Sequence, residues 1–461
     1  MKSSWTRRAA LVASAVAALA TVAACTGDPG DGGTDAATDG TITIHVAIDP
    51  GLEQDSLDAI NTRIEQFTEA NPDIAVETQE YNWTGTTFAA ELAGGTLPDV
   101  FTIPFTDGRG LIERGQIADI SALVAELPYA GDFNPNVAQA GQAPDGAMWA
   151  VPIAAYGQGL HYNRTLFTEA GLDPDAPPTT WAEVREAAAA ITEATGEAGY
   201  AQMTSTNTGG WIMTTLAYAL GGRTEQVDGE TVTATIDTPE MTEVLEMVQA
   251  MRWEDNSMGA NFLYDWGTIN QDFAAGRIGM HVSGGGNYGS LFTQNAMNPD
   301  DYGVTILPLS DSADAGVLGG GTLAAVRADA DEATAAAALK WIDFYYMEKL
   351  TNEEAAVADA EALNAAGQPV GAPQLPIFDR ATYDESQTWV AEFINVPVDQ
   401  MAPYTDGIFD QPLIPEPAHS TQEIYALLDP VIQAVLTDEN ADIAALLAQA
   451  ETDAQALLDA S

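Results

Sequence analysis

The stretch WAVPIAAYGQGLHYNRTLF, residues 149–167, decides how this 461-residue chain is organised. It begins with the apolar composition of a buried strand, yet Pro152 lies inside it and two glycines follow. Proline donates no hydrogen bond to a β-ladder and is uncommon in the middle of a sheet. We therefore interpret residues 149–155 as a crossing between two bodies rather than as one irregular strand, with Tyr156 at the point where the crossing meets a cleft.

The residues before this crossing alternate between strand and helix patterns. Alternating β-branched residues predict strands at residues 41–49, 74–81 and 98–104. Apolar residues at helical spacing predict helices at residues 55–73 and 86–95 between those strands. A β-α-β-α-β order requires parallel strands joined by helical crossovers, which predicts an α/β lobe.

The residues after the crossing continue the alternation less regularly. Residues 160–163 are expected to begin a strand of the second body, and residues 164–170 to form a short helix. Thr180 and Glu183 have the spacing of a capping box, which predicts the start of another helix. A second strand that contains proline is predicted at residues 302–310, and its residues 302–308 are interpreted as the return crossing. The last hundred residues have mainly helical patterns.

The amino terminus has the composition of a targeting segment. Basic residues precede an apolar stretch, residues 9–24, that is too short to span a membrane. The sequence VAAC at residues 22–25 resembles a bacterial lipobox, and Cys25 is the only cysteine in the chain. We expect residues 1–24 to be a lipoprotein signal peptide and lipidation of Cys25 to hold the protein on a membrane. An ordinary secreted protein with a chance cysteine is the alternative.

The residues that follow Cys25 favour a solvated linker. Residues 26–40 consist mainly of Gly, Asp and Thr, which is typical of a flexible tether. The folded part is therefore expected to begin near Thr41, and the tether to occupy residues 25–40.

The charge of the chain restricts its partners. The formal net charge is −53, from 68 acidic and 15 basic residues. Such a surface repels nucleic acid and anionic lipid, so we expect no nucleic-acid partner. It also disfavours a strongly anionic ligand, although the acidic residues are explained equally well by solubility. The four histidines lack the spacing of metal ligands, and no metal or cofactor is expected.

Several segments, taken in order, resemble a known family. The chain is similar to the extracellular solute-binding proteins of ABC importers, in the family 1 group that includes maltose-binding proteins. The segments that carry this resemblance are GTLPDVFTI (95–103), DGAMWAVPIAAYGQGLHYNRTLFTEAGLDP (145–174), PPTTWAEV (177–184), FAAGRIGMHVSGG (273–285) and AAALKWIDFYYM (336–347). Each segment is weak by itself, and their combined order and spacing is specific.

The resemblance implies a fold and a mode of action. It implies an α/β, two-lobed periplasmic-binding-protein-like fold of type II, with a multi-strand hinge and a helical C-terminal region. The expected lobes are residues 41–150 with 304–355, and residues 151–303 with 356–461. A monomer on the extracellular face of the bacterial membrane would close around a ligand in the cleft and present it to the membrane permease.

The candidate ligand-binding residues follow from where strands end. Ligands of open α/β lobes bind outside the carboxyl ends of the strands, and clefts between domains are favoured pockets. These criteria select Asp49, Glu53, Glu80, Tyr81, Trp83, Phe105, Asp107, Tyr156, Trp211, Asp265, Trp266, Ser283 and Asn287. By contrast, Trp149, Trp181, Trp341 and His161 are expected to have packing roles.

The candidate residues combine aromatic rings with carboxylates, and this combination suits a carbohydrate. The C–H bonds of a pyranose pack on the face of Trp or Tyr, while its hydroxyls donate charge-assisted hydrogen bonds to carboxylates. The glycine-rich segments SGGGN and GGGT could let the backbone approach such a ligand. We therefore expect a neutral oligosaccharide.

Other functions remain open from the sequence. A glycoside hydrolase would use two carboxylates, but among 68 acidic residues a suitable pair carries no information. No motif of a serine, cysteine or zinc hydrolase occurs in the sequence, and an enzyme is not expected. A binding protein for a polyamine, polyol or peptide is the closer alternative, and a surface adhesin is a weaker one.

Overall fold

Two strands that change partners along their length connect the sheets of this protein. The computed structural model describes residues 41–229 and 231–460. The predicted signal peptide, Cys25 and tether lie outside the described residues. The strands are β1 Ile42–Ile48, β2 Ile74–Glu80, β3 Val100–Pro104, β4 Val151–Asn163, β5 Ala198–Tyr200, β6 Glu225–Asp228, β7 Thr231–Ala234, β8 Ile278–Gly284, β9 Tyr302–Ile306, β10 Val317–Val326 and β11 Leu413–Pro415.

The helices cover the faces of these strands and form most of the carboxyl-terminal region. They are α1 Gln54–Ala70, α2 Gly85–Gly94, α3 Phe105–Glu113, α4 Ser121–Val124, α5 Pro135–Ala138, α6 Arg164–Glu169, α7 Trp181–Thr195, α8 Thr208–Leu220, α9 Pro239–Trp253, α10 Trp266–Ala274, α11 Tyr288–Asn295, α12 Glu332–Ile342, α13 Glu348–Thr351, α14 Glu353–Ala365, α15 Arg380–Trp389, α16 Ala402–Gly407, α17 Thr421–Thr437 and α18 Ile443–Leu458. A π-helical turn, Asp343–Met347, joins α12 to α13.

The amino-terminal part has the parallel arrangement that the sequence predicts. Strand β1 pairs in parallel with β2 over its whole length, and in parallel with β3. Ile44 and Val46 of β1 are buried between the covering helices. On one side Phe67 of α1 meets Trp341 of α12 edge-on, with ring centroids 5.2 Å apart. The packing role expected for Trp341 is thus seen in the structure.

Strand β4 is one continuous strand, and the prediction that residues 149–155 and 160–163 belong to separate segments is wrong. Its first half pairs with β10, and its second half pairs with β8 and β9. Pro152 is tolerated for a different reason from the one expected. It lies at an irregularity of the β4–β10 ladder, between the pairs of Thr322 and Leu323, and bulges are places where a sheet accepts proline.

The return crossing is made by β10 rather than, as predicted, by residues 302–308. Strand β9 pairs with the second half of β4 only. Strand β10 begins beside β11, continues along the first half of β4 and ends beside β3. The overall order is therefore β2-β1-β3-β10-β4-β8-β5, with β9 on β4 and β11 on β10. Two antiparallel strands, β4 and β10, thus connect a first group of strands, β1 to β3, with a second group, β5, β8 and β9.

The second group of strands is covered by apolar helices. Helix α7 begins at the predicted capping box, in which Thr180 and Glu183 hydrogen-bond each other's backbone N–H groups. Helix α8 is buried over most of its surface, as its continuous apolar composition requires, and α17 packs along it. The segment before α15 instead contacts the first part of the chain, because Asn134 donates hydrogen bonds to the carbonyl groups of Pro376 and Ile377. The predicted lobe boundaries stay a prediction.

One buried carboxylate links strands β1, β3 and β10. Asp99 precedes β3 in the PDVFTI segment and is 4 % exposed. Its Oδ1 accepts a hydrogen bond from Arg327 Nε at 2.6 Å, and its Oδ2 accepts one from the backbone N–H of His45 at 2.7 Å. The side chain thus joins the start of β3 to β1 and to the residue that follows β10.

Replacement of Asp99 by alanine is expected to destabilise the protein by roughly 3 kcal/mol, because the Arg327 guanidinium is left partly buried without its main partner. Urea unfolding monitored by circular dichroism measures this cost. Asp329→Ala is the matched control. Asp329 also approaches Arg327, at 3.4 Å, but is 68 % exposed, so its removal should cost less than about 1 kcal/mol. Equal costs for the two variants would contradict the assigned role of Asp99.

Two buried histidines stack where β4 and β8 pair. His161 and His281 have ring centroids 5.1 Å apart, and both rings are fully buried. His161 hydrogen-bonds the Tyr302 hydroxyl and the carbonyl groups of Ser283 and Gly284, which is the structural role expected for it. Neither ring nitrogen of His281 has a hydrogen-bond partner among the described residues. Burial lowers the pKa of His161 to about 4, and burial, with the neighbouring His161, lowers the pKa of His281.

These histidines should make folding sensitive to acid. Between pH 6.5 and about 4 the unfolded chain takes up protons that the folded chain refuses, so the free energy of unfolding falls as the pH is lowered through this window. We expect His281→Leu to be at least as stable as the parent at pH 7, and to lose less stability between pH 7 and pH 5. Urea unfolding at both pH values measures the difference. The acidic residues are common to both proteins, so an identical loss would contradict this role of His281.

Candidate ligand-binding site

A row of residues crosses three adjacent strands at the centre of the molecule. Gly320 of β10 lies opposite Tyr156 of β4. On the other edge of β10, Gly319 pairs with Pro415, the last residue of β11, so Glu416 follows at the level of Gly320. Side chains at the same level of neighbouring strands point to the same face of a sheet. Tyr156 and Glu416 therefore share one face, with a glycine between them.

Gly320 leaves the space that the Tyr156 ring occupies. A Cβ atom added at Gly320 would lie 2.9 Å from the Tyr156 hydroxyl oxygen. The ring therefore leans across β10 towards Glu416. Burial, and then the negative charge of Glu416, raise the pKa of the Tyr156 hydroxyl.

Glu416 is a half-buried carboxylate held by aromatic donors. The Tyr425 hydroxyl of α17 donates a hydrogen bond to its Oε1 at 3.2 Å, and the side chain of Trp211 from α8 forms a second hydrogen bond. Burial raises the pKa of the Glu416 carboxyl, and these two hydrogen bonds partly oppose that shift. The predicted residues Tyr156 and Trp211 are thus brought together around an acid that the sequence did not indicate.

A second cluster of predicted residues, formed by Trp83 and Asp107, lies near the carboxyl end of β3. Asp107 is in the first turn of α3 and accepts hydrogen bonds from Thr106, at 3.3 Å, and from the Trp83 side chain. The Trp83 ring packs on Phe88 with centroids 4.9 Å apart. Burial raises the pKa of Asp107, and the hydrogen bonds together with the charge of Arg114 oppose the rise. This group also pairs an aromatic ring with a carboxylate.

Phe105 lies between the Trp83–Asp107 cluster and strand β10. It begins α3, and its ring lies where a Cβ atom at Gly321 of β10 would project. The consecutive glycines of β10 therefore make room for the protein's own aromatic side chains. This is a more direct reason for the GGGT segment than the approach of a ligand to the backbone.

The remaining predicted residues of the first group of strands have different surroundings. Asp49 and Glu53 are exposed near the end of β1, and Glu80 accepts a hydrogen bond from the backbone of Gly51 at 3.3 Å. Tyr81 is buried and packs edge-on against Phe101, so its ring belongs to the core in this structure.

Of the predicted residues near the second group of strands, some are exposed and others are buried. Asp265 caps α10 and accepts a hydrogen bond from the backbone N–H of Thr268 at 2.8 Å. This bond is the largest of the interactions that lower the pKa of the Asp265 carboxyl. Trp266 is 36 % exposed and follows the exposed Leu263. By contrast, Ser283 and Asn287 are buried, and Asn287 exchanges amide hydrogen bonds with Asn270. In this loop, a Cβ atom added at Gly284 would lie 3.9 Å from the Tyr156 ring.

A separate cavity of about 390 Å³ lies between α13, α14 and α15 and the first half of β4. Ile153 and Ala154 contribute its β4 wall, and Leu350, Leu375 and Tyr383 are among the other lining residues. None of the residues predicted from the sequence lines this cavity. In the part of the chain that the structure describes, no group of His, Cys, Asp and Glu is arranged to hold a metal ion.

Glu416 and Tyr425 were missed because the local sequence gives little signal. Strand β11 has only three residues, too few for a periodic pattern, and it joins the sheet far along the chain from its partners. The available signal was an acid directly after the short apolar segment LIP, followed by the apolar helix α17. No helix of the described residues has the length and apolar character needed to cross a membrane.

Comparison with known proteins supports the identity that the fold indicates. Residues 62–397 match the family model for bacterial extracellular solute-binding proteins. An sn-glycerol-3-phosphate-binding periplasmic protein, UgpB, from Agrobacterium fabrum is 28 % identical in an alignment of 219 residues that covers 44 % of this chain. The matched part spans only 47 % of that relative.

Solved structures with the same fold align along nearly the whole chain. The cyclic α-maltosyl-1,6-maltose binding protein from Arthrobacter globiformis aligns over 91 % of this chain and 100 % of its own, with a TM-score of 0.66 and 22 % identity. UgpB from Mycobacterium tuberculosis, in complex with glycerophosphocholine, aligns over 91 % and 98 %, with a TM-score of 0.65 and 19 % identity. The chain belongs to the bacterial extracellular solute-binding proteins and has their two-lobed α/β fold with a multi-strand hinge.

Proposed function

We propose that this protein captures a neutral carbohydrate between its two lobes and delivers it to the permease of an ABC importer. The observation that carries the proposal is the group formed by Tyr156, Trp211 and Glu416 beside the strands that cross between the lobes. Aromatic faces and a carboxylate are the groups that bind the C–H bonds and hydroxyls of a sugar. The Trp83–Asp107 pair offers the same combination on the other lobe.

The charges near these groups favour a neutral ligand over an anion. No arginine or lysine of the described residues forms an ion pair with Glu416 or Asp107. Two carboxylates without such partners would repel a phosphate group, whereas they accept hydrogen bonds from hydroxyls. Two solved structures with this fold contain a bound sugar, α-D-tagatose in one and maltose in the other.

A phosphorylated polyol is the second candidate. The names of the UgpB relatives support it, as does one observation in this chain, since the charge of Arg114 reaches Asp107. A non-sugar solute such as a polyamine or peptide stays the more distant alternative, and a catalytic role is not proposed.

The mechanism is capture by closure rather than chemistry. Strands β4 and β10 are continuous through both groups of strands, so a small rotation of their backbone would move one lobe against the other. A ligand that contacts residues of both lobes binds the closed state better and shifts the population towards it. Lipidation of Cys25 would keep the monomeric protein on the extracellular face of the membrane, beside its permease.

The structure suggests adjusted lobe boundaries. We propose that residues 41–150, together with β10, α12 and the region of α13 to α15, form the amino-terminal lobe. Residues from the middle of β4 to β9, together with α17 and α18, would form the other lobe. Contacts of Asn134 with residues 376 and 377, and of α17 with α8, support this division.

A thermal-shift panel tests the proposed ligand class. We expect a neutral member among maltose, maltotriose, D-tagatose and ribitol to raise the melting temperature, because a ligand that binds only the folded state stabilises it. We expect sn-glycerol 3-phosphate and spermidine to leave the melting temperature unchanged. Stabilisation by sn-glycerol 3-phosphate alone would contradict the neutral-sugar proposal and favour the second candidate.

Substitutions at two neighbouring glycines test the position of the site. Gly320→Ala should push the Tyr156 ring aside and weaken sugar binding about fivefold, as Tyr156→Ala should, since an aromatic contact contributes about 1 kcal/mol. Titration calorimetry with the sugar that stabilises the parent measures the affinity, and thermal unfolding should show folded protein in both cases.

Gly319→Ala is the matched control. Its Cβ atom would collide with the Tyr156 carbonyl oxygen and with Leu413, so it should destabilise the fold by about 1–3 kcal/mol. If Gly320→Ala leaves the affinity unchanged, the site does not lie at Tyr156.

A further inference from the structure

Glu416 is a half-buried carboxylate with no ion pair among the described residues, whereas Glu225 has a histidine partner. Glu225 lies at the start of β6, and its side chain is 10 % exposed. Its Oε1 lies 3.3 Å from His419 Nδ1. It also accepts a hydrogen bond from the backbone N–H of Ala418 at 2.9 Å. Glu416, by contrast, has two neutral donors, and no ion pair with it occurs among the described residues. A carboxylate removed from water costs free energy unless its oxygens are fully paired.

The groups that face Glu416 come from three elements and are all neutral aromatics. Tyr156 approaches it from β4, Trp211 and Tyr218 from α8, and Tyr425 from α17. Arg223 and Glu225 are the charged groups beyond these aromatic rings. The charge of Arg223 lowers the pKa of Tyr218, and the charge of Glu225 raises it. Two half-buried members of the group, Tyr156 and Trp211, leave Glu416 with a partly open approach. Tyr218 and Tyr425 are buried behind them.

A carboxylate of this kind can accept further hydrogen bonds from donors outside the chain. Each carboxylate oxygen can accept about two hydrogen bonds, so two donors leave acceptor capacity unused. Ligand hydroxyls would fill that capacity between aromatic walls, where a charge-assisted hydrogen bond is stronger than in water. An anionic group at the same place would face an uncompensated negative charge and be rejected.

We propose that Glu416 is a specificity-determining residue that accepts hydrogen bonds from the hydroxyls of a neutral sugar and excludes anionic ligands from the Tyr156–Trp211 face. This inference rests on the proposed function, and it assigns the choice of neutral sugars over anionic ligands to one side chain. A site that hydrogen-bonds a ligand polar group discriminates strongly, because an analogue without that group leaves the buried partner unpaired. The role is separate from that of Asp107, which lies near Arg114.

A merely structural role predicts different behaviour of the ligand-free protein. If Glu416 served only to hold Tyr425 and Trp211, its replacement would lower stability. If it is held ready for a ligand, the unpaired charge costs stability and its neutral isostere relieves the cost. Burial raises the pKa of this carboxyl, so the folded state disfavours the ionised form at neutral pH. The cost is present above the folded pKa and disappears as the pH falls below the unfolded value near 4.5.

The experiment compares Glu416→Gln and Glu225→Gln in the full chain. Without ligand at pH 7, we expect Glu416→Gln to melt at or above the parent temperature, with a difference that shrinks towards pH 4.5. Glu225→Gln should melt below the parent, because Glu225 accepts a backbone hydrogen bond from Ala418 and contacts His419. In calorimetry with maltotriose, or with whichever neutral sugar stabilises the parent, Glu416→Gln should bind at least tenfold more weakly and Glu225→Gln within about twofold.

The outcomes separate this inference from the proposed function. Loss of ligand-free stability in Glu416→Gln, or sugar affinity within twofold of the parent, overturns the role of Glu416 while sugar binding by the parent still supports the proposed function. Binding of sn-glycerol 3-phosphate by the parent, equal in Glu416→Gln, overturns both. Relief of ligand-free stability together with loss of sugar affinity supports both.

Discussion

The pairing of β4 with β10 is the constraint on which the rest of the structure depends. Both strands are continuous, both change partners along their length, and together they join the two groups of strands. Their ladder brings Tyr156, Gly320 and Glu416 to one level although they are far apart along the chain. The glycines of β10 are required at this place, because the neighbouring positions are filled by Tyr156, Phe105 and Leu413. Hinge and candidate site are therefore built from the same residues.

Much of the fold could be predicted because its local signals are strong. The parallel strands of the first part, the capping box at Thr180 and the short helix after Asn163 follow from periodicity and caps within a few residues. The crossing was only partly predicted. Pro152 was read as a break in the strand, whereas the structure accommodates it at a ladder irregularity that depends on a partner more than 150 residues later. Local sequence carries no information about that partner.

The candidate site was predictable where a strand end could be recognised, and not elsewhere. Trp83 and Asp107 follow strand ends, Tyr156 follows the predicted crossing and Trp211 lies in the predicted second lobe; the structure groups them in two clusters that each contain a carboxylate. Tyr81 and the side chains of Ser283 and Asn287 satisfied the carboxyl-end rule but are buried, because the rule gives the position of a residue and not the direction of its side chain. Glu416 enters the site through a three-residue strand that pairs across the fold, which only tertiary structure shows.

The central claim is that a neutral sugar binds beside the crossing strands, in contact with Tyr156 and Glu416. A crystal structure of the protein with the sugar that stabilises it tests this claim most directly. The account predicts sugar hydroxyls within hydrogen-bond distance of the Glu416 carboxylate, a sugar face on Tyr156 or Trp211, and contacts from both lobes. A ligand bound instead in the cavity beside Ile153 and Ala154, or an anion held at Arg114 with Glu416 left unoccupied, would contradict it.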